Sequence, residues 1–212
     1  KTSKDNDNSN GGNNPTPTAA GALLPGVDNG LTMKLEGEAD PSKTLTTLID
    51  CDGSPAFNGN PYDETAGINW SLQPFVYDYL AYYTPFPERT FKSSLLESYD
   101  FTDKVLTMKL LPDLKWSDGT DLNATDLMTS FYCGVGRNTV WNYIVSIEKT
   151  DDLTVKITFN TESPLILNIS LYQPIMTPDE IYGGFAEKYK AIAENGRTYD
   201  EANNMYKFTE DG

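Results

Sequence analysis

Two stretches of this chain alternate apolar and polar side chains at period two, and each is interrupted by an Asp-containing turn. In the first, residues 97–101 and 105–110 flank Thr102, Asp103 and Lys104; in the second, residues 143–148 and 153–159 flank Thr150, Asp151 and Asp152. Each pattern predicts a β-hairpin. Along 105–110, Leu106, Met108 and Leu110 face one way and Val105, Thr107 and Lys109 the other, which suits a strand covered fully on one side and partly on the other. Between the hairpins, Ser117-Asp118-Gly119-Thr120 predicts a tight reversal, because Asp and Gly accept positive-φ backbone. Asn123 then reads as a helix N-cap, and Asp126 at the third helical position completes a capping box. Asp118 and Asp126 are thus read as turn and cap residues, with ligand contact as the alternative.

The remaining patterns are shorter. Residues 31–35 alternate and predict a first strand, and 45–50 predict a second. Residues 51–69 are rich in Gly, Pro, Asn and Asp without periodicity; a loop of that length inside a domain points to a specificity loop. From Trp70, the apolar positions Leu72, Phe75, Val76, Tyr79, Leu80 and Tyr83 recur at three and four, which predicts an amphipathic helix. Ser163 and Pro164 predict the start of a short buried helix over 163–171. Thr177 and Glu180 form a second capping box, opening a helix that the pair Asn195-Gly196 should stop. Residues 199–206 read as one more helical piece. Residues 1–22 are almost devoid of apolar side chains and are expected to be a disordered tether, so the folded unit spans 23–212.

Composition narrows the chemistry. The 212 residues carry a net charge of −15 and a pI near 4.2, without a basic run, so nucleic acid and anionic membrane surfaces are not expected partners. No apolar run approaches the ~20 residues that span a bilayer. The polar opening suggests a mature form from which a targeting signal has been removed. There is no histidine, which removes the usual base of nucleophilic triads and the commonest metal ligand. Gly134-Val135-Gly136 lacks the strand-turn-helix setting of a phosphate loop. Asp50, Asp52 and Gly53 only faintly resemble a calcium loop. Cys51 and Cys133 make either one disulfide or two small buried apolar residues. The 31 acidic residues keep paired-carboxylate hydrolysis open as a minor reading. Binding fits better: 13 Tyr, 9 Phe and 3 Trp supply the aromatic walls of a cleft. The candidate contacts are Trp70, Arg137 and Trp141 at element ends, with Asp52 and Asn69 in the 51–69 loop. Core packing is the alternative for both Trp residues, and a surface or ion-pairing role for Arg137. Neither catalytic residues nor a metal or cofactor is expected.

Lys115, Trp116, Asp118, Gly119, Ala124, Asp126 and Leu127, together with Leu95, Glu97 and Asp103 before them and Ile147, Glu148, Asp152, Thr154 and Val155 after, carry a resemblance. So do Tyr77, Asp78 and Leu80. From about residue 31 to 180 the chain resembles extracellular solute-binding proteins of the peptide-binding class, which deliver ligands to ABC importers. The resemblance implies an α/β fold, a mixed sheet with flanking helices, forming the N-terminal lobe of a type II clamshell. It implies capture of extracellular peptides for ABC permease subunits by a monomer held at the cell surface or in the periplasm, in Gram-positive relatives through a lipid-bearing cysteine that this chain does not include. Relatives also take oligosaccharides and nickel chelates. In some, an Arg and a Trp near the positions of Arg137 and Trp141 face the cleft. Those proteins are two-lobed and more than twice as long, so the chain is expected to be a fragment that does not close on its own. An oligosaccharide receptor and a non-transporting surface scaffold are the competing readings.

Overall fold

The computed structural model describes residues 42, 61–62, 76–84 and 90–209. The predicted tether 1–22, the predicted strands 31–35 and 45–50, the predicted specificity loop 51–69 except Pro61 and Tyr62, and Cys51, Asp52, Asn69 and Trp70 lie outside the described residues. In chain order the elements are β1 (Asp78–Tyr79), β2 (Tyr82–Thr84), β3 (Thr90–Lys92), β4 (Leu96–Thr102), β5 (Val105–Leu110), α1 (Ala124–Tyr132), a 3-10 turn (Thr139–Asn142), β6 (Ile144–Lys149), β7 (Thr154–Phe159), α2 (Leu165–Leu171), β8 (Pro174–Ile175), α3 (Asp179–Asn195), β9 (Arg197–Asp200) and β10 (Met205–Phe208).

Both predicted hairpins form, and they join into one four-stranded antiparallel sheet of order β4-β5-β7-β6. The first closes through Asp103 and Lys104, at φ 51° and 68°, the doubly left-handed turn that matches the twist of paired strands. Phe101, Leu106, Ile157 and Ile147 pair in register across all four strands. Leu106, Met108, Leu110, Val155 and Ile157 are fully buried, each contributing about 1.5–3 kcal/mol by leaving water. On the other face Thr107 and Thr158 are half-buried and Lys109 and Lys156 exposed, the unequal covering that the alternation predicts. With α1 against the sheet, α3 packed on α1 and α2 beside the 3-10 turn, the chain has the α/β class expected from the sequence.

The bend between the hairpins is built as its residues dictate. Asp118 Oδ1 accepts from Thr120 N at 2.9 Å and from Thr120 Oγ1 at 2.7 Å, Gly119 takes φ 91°, and Lys115 pairs with Asp121 across the reversal. The Thr120 hydrogen bonds hold the Asp118 carboxyl below its ordinary pKa. Asn123 Oδ1 then accepts from Thr125 N at 2.8 Å and Asp126 Oδ2 from Asn123 N at 2.8 Å, the capping box that opens α1.

Three expectations are corrected. The capping box predicted at Thr177 does not form: Thr177 is fully buried and its hydroxyl is shared with Ser130 at 2.7 Å. The first N–H of α3, from Asp179, is instead donated to Asp126 Oδ1 at 2.7 Å, so a carboxylate from another helix outcompetes the local cap. The helix predicted from Trp70 to Tyr83 does not reach its end: Val76 is helical, but 78–79 and 82–84 are strands. There Leu80 N and Ala81 N donate to the carbonyls of Gln173 and Leu171, a ladder that an extended backbone reaches and a helix, which bonds its own carbonyls, does not. The helical piece predicted at 199–206 is the hairpin β9–β10, in which Tyr199 pairs with Tyr206 and Asn204 turns the chain at φ 51°. Helix α2 forms but begins at Leu165, with Pro164 rather than Ser163 at the cap and no side-chain cap; Leu165 N donates to Ser163 Oγ at 3.4 Å. However, Leu165 itself is exposed, and only Ile166, Ser170 and Leu171 are buried. Helix α3 stops at Asn195 as predicted.

Arg197 fastens the last hairpin to the core. Its Nη1 donates to the carbonyls of Trp141 at 2.8 Å and Ile144 at 2.9 Å, while the guanidinium lies 4.6 Å from the Tyr206 ring and 5.5 Å from that of Trp141. Stacking desolvates the cation but supplies ring faces and carbonyls in return.

Replacing Asp126 with Ala leaves backbone donors of both α1 and α3 without their acceptor and is expected to cost about 2–4 kcal/mol. Asp118→Ala, in the exposed bend, is expected to cost about 1 kcal/mol or less. Urea denaturation of the two variants decides it, and equal losses would show that Asp126 does not bridge the helices in solution.

Candidate functional site

The chain leaves α1 through a compact turn that determines where the next polar side chains go. Val135 N donates to Tyr132 O, Arg137 N and Asn138 N to Gly134 O, and Trp141 N to Asn138 O; Gly136 takes φ 78°, where a side chain would be strained. This projects Arg137 and Asn138 beside the segment that follows α2. Asn138 Nδ2 donates to Gln173 Oε1 at 2.7 Å, and Gln173 Nε2 donates to Ile169 O at 2.6 Å.

Around this junction lie two adjoining hollows of about 200 and 440 Å3 that share Arg137, Asn138, Tyr172 and Gln173. The first is completed chiefly by Tyr62, Tyr79, Ser130 and Met176, the second by Tyr83, Phe91, Asn168 and Ile169. Tyr172, more than half exposed, stacks on Tyr79 with centroids 4.7 Å apart and planes 24° apart, and Tyr82 meets both rings. The junction is therefore an aromatic shelf beside a pair of linked side-chain amides.

Its electrostatics are simple. Burial raises the phenol pKa of Tyr62, against a smaller opposing effect of the Thr177 hydrogen bond. Burial, then Tyr172, raises that of Tyr79; burial and then Asp78 push Tyr82 up to about 12. These phenols stay neutral throughout the physiological range. Among the described residues lining the two hollows, Arg137 is the one that carries a charge. A single exposed guanidinium on a neutral aromatic floor, in a chain of net charge −15, suits a solute with a carboxylate and an apolar or planar body.

The sequence-predicted contacts fare differently. Arg137 lies in both hollows. Trp141 is 1% exposed; its indole donates to Phe131 O at 2.9 Å and packs on Tyr132, so it belongs to the core rather than to a cleft wall. Asp52, Asn69 and Trp70 are outside the described residues. Asn138, Tyr172, Gln173 and Tyr79 escaped notice in the sequence. Tyr172-Gln173 directly after a short helix was the available signal, whereas Tyr79 fits a helical period but lies in the strand Asp78–Tyr79. Asp118 and Asp126 are turn and cap residues, as read.

The arrangement offers binding more than reaction chemistry. Cys133 is a buried free thiol, pushed up to about 11 by burial and then by Asp179, and so holds its proton at neutral pH. Among the described residues no three His, Cys, Asp or Glu gather to hold a metal ion, and no helix is long and apolar enough to cross a membrane. Because the raised pKa leaves almost no thiolate until the pH nears 11, Cys133 in a Cys51→Ser background is expected to resist a disulfide reagent near pH ~8 and to react promptly once unfolded. Rapid reaction of the folded protein would contradict its burial.

Residues 90–207 match the family described as bacterial extracellular solute-binding proteins, family 5 Middle. Among solved structures the chain is similar to the protein AppA from Clostridium difficile, at 30% identity and a TM-score of 0.43, over 59% of this chain and 29% of that one. It is also similar to a mannohexaose-bound periplasmic oligopeptide-binding protein from Thermotoga maritima, at 26% identity and a TM-score of 0.49, over 68% and 28%. A third is the oligopeptide-binding protein AppA from Bacillus subtilis in complex with a nonapeptide, at 19% identity and a TM-score of 0.48, over 60% and 26%. The chain spans less than a third of the length of each of these proteins. No curated protein matches it.

Proposed function

Because this chain belongs to the bacterial extracellular solute-binding proteins of family 5, we propose that it supplies one wall of the cleft in which such a protein captures a peptide for an ABC importer. Residues 23–212 act as part of the first lobe behind the tether 1–22, and a second lobe completes the enclosure. The observation that carries the reading is the exposed guanidinium of Arg137, the one charged group among the described residues lining the hollows, beside the stacked rings of Tyr79 and Tyr172. A peptide carboxylate is taken by Arg137 through charge-assisted hydrogen bonds. Adjacent side chains lie on the tyrosine rings, and backbone amides meet Asn138 and Gln173. Few side chains are then committed to any one residue type, as broad peptide capture requires. The protein works outside the membrane as a monomer, held by a lipid anchor or free in the periplasm, and hands its cargo to permease subunits.

A specific feature supports a second reading. Tyr172 presents an exposed ring face, and such faces also stack sugar rings, which would make the cargo an oligosaccharide. Calorimetric titration of the full-length protein with a nonapeptide pool and with mannohexaose separates the two. The expected result is peptide binding that Arg137→Ala weakens about tenfold with an unchanged melting temperature. Tight mannohexaose binding, no peptide signal and indifference to Arg137→Ala would replace the peptide reading by the sugar one.

A further inference from the structure

Two glycines in the turn after α1 are there for different reasons. Gly136 has φ 78° and nothing within 4 Å of where a Cβ would stand, so its backbone alone requires glycine. Gly134 is the converse: it is absent from the positive-φ residues, yet a Cβ there would overlap Asn138 Nδ2 and lie 3.0 Å from Asn138 Cγ and 3.2 Å from Phe131 O. The φ at 134 therefore permits alanine, and what crowds a Cβ there is chiefly the folded-back Asn138 side chain, with the Phe131 carbonyl a lesser contact.

We propose that Gly134 is a positioning residue for the Arg137–Gln173 hollow: by carrying no side chain it lets Asn138 lie across it and donate to Gln173, and the linked amide pair reads a neutral amide of the ligand. The proposal rests on that hollow being the ligand site. The chemistry follows from what the pair has left over. Asn138 Nδ2 spends one hydrogen on Gln173 Oε1, and Gln173 Nε2 spends one on Ile169 O. Each amide nitrogen keeps one donor, and both amide oxygens keep acceptor capacity. A peptide group, itself one donor and one acceptor, meets both needs, whereas a carboxylate would leave the acceptors unmatched. Chaining the two amides to a backbone carbonyl also fixes their orientation before ligand arrives, which lowers the ordering cost of binding. With alanine at 134 the Asn138 side chain must swing out, Gln173 loses its donor, and the pair comes apart, while the Phe131 carbonyl has only to yield slightly.

The test uses the full-length protein carrying Gly134→Ala, Asn138→Ala and both together. The Asn138 side-chain amide resonance, followed by NMR without ligand, is expected to move in Gly134→Ala while the backbone resonances of the β4-β5-β7-β6 sheet stay in place. An unmoved resonance overturns the positioning role whatever the ligand is. With an N-acetylated oligoalanine that keeps its C-terminal carboxylate as probe, each single variant is expected to weaken binding about tenfold, and the double variant no further, because both act through one amide. Additive losses would mean that Gly134 acts otherwise than through Asn138. A probe that fails to bind the unmodified protein overturns the ligand class. If the resonance moves and the variants bind the probe unchanged, the pair is positioned as described but the hollow is not the ligand site, and the proposal falls with that reading.

Discussion

The arrangement depends on one carboxylate. Asp126 is 4% exposed and accepts from Asn123 N through one oxygen and from Asp179 N through the other, so a single buried group serves the N-termini of α1 and α3. Both helix ends carry unpaired N–H groups and partial positive charge, and that is what makes an anion tolerable where water is excluded. Thr129 donates to Asp179 at 2.5 Å and Ser130 shares a hydrogen bond with Thr177, extending the junction along one face of α1. The fixed register of the two helices positions everything downstream. The C-terminal end of α1 delivers Arg137 and Asn138, and the segment leading into Thr177 and α3 delivers Tyr172, Gln173 and Met176. Ser130 belongs to both the junction and the hollow, so the structural link and the binding surface are contiguous.

What the sequence made legible was local. The sheet could be read because period two is strict in β5 and β7 and the turns between strands carry Asp, which tolerates the left-handed backbone of Asp103. The bend at Asp118–Gly119 and the cap at Asn123 could be read because every partner lies within a few residues. Errors arose where a partner came from far away. Thr177 and Glu180 have the spacing of a capping box, but Ser130 claims the Thr177 hydroxyl across 47 residues and Asp126 claims the helix N–H across 53. The positions Val76, Tyr79, Leu80 and Tyr83 fit a helical period, yet the segment lies against the end of α2 as an extended strap, because the carbonyls of Leu171 and Gln173 await donors there.

The site was legible only in part for the same reason. Arg137 is a candidate from its place between predicted elements, and it does line the hollows. Trp141 stood out equally, but an indole followed by β6 and overlaid by Arg197 is core. Asn138 meets Gln173 across 35 residues, and Tyr172 meets Tyr79 across a longer separation still; no periodicity announces such pairs. Among the described residues these contacts produce an aromatic shelf, a linked amide pair and one cation lining the hollows, in a chain of net charge −15. That combination suits binding of a solute by shape, stacking and one ionic anchor.

The most direct test of this account is a crystal structure of the full-length protein with its captured solute. The expected result is ligand density against the Tyr172 ring, with a carboxylate within hydrogen-bond distance of Arg137 and an amide on Asn138 or Gln173. Density seated elsewhere, with the Arg137–Gln173 hollow filled only by water, would contradict it.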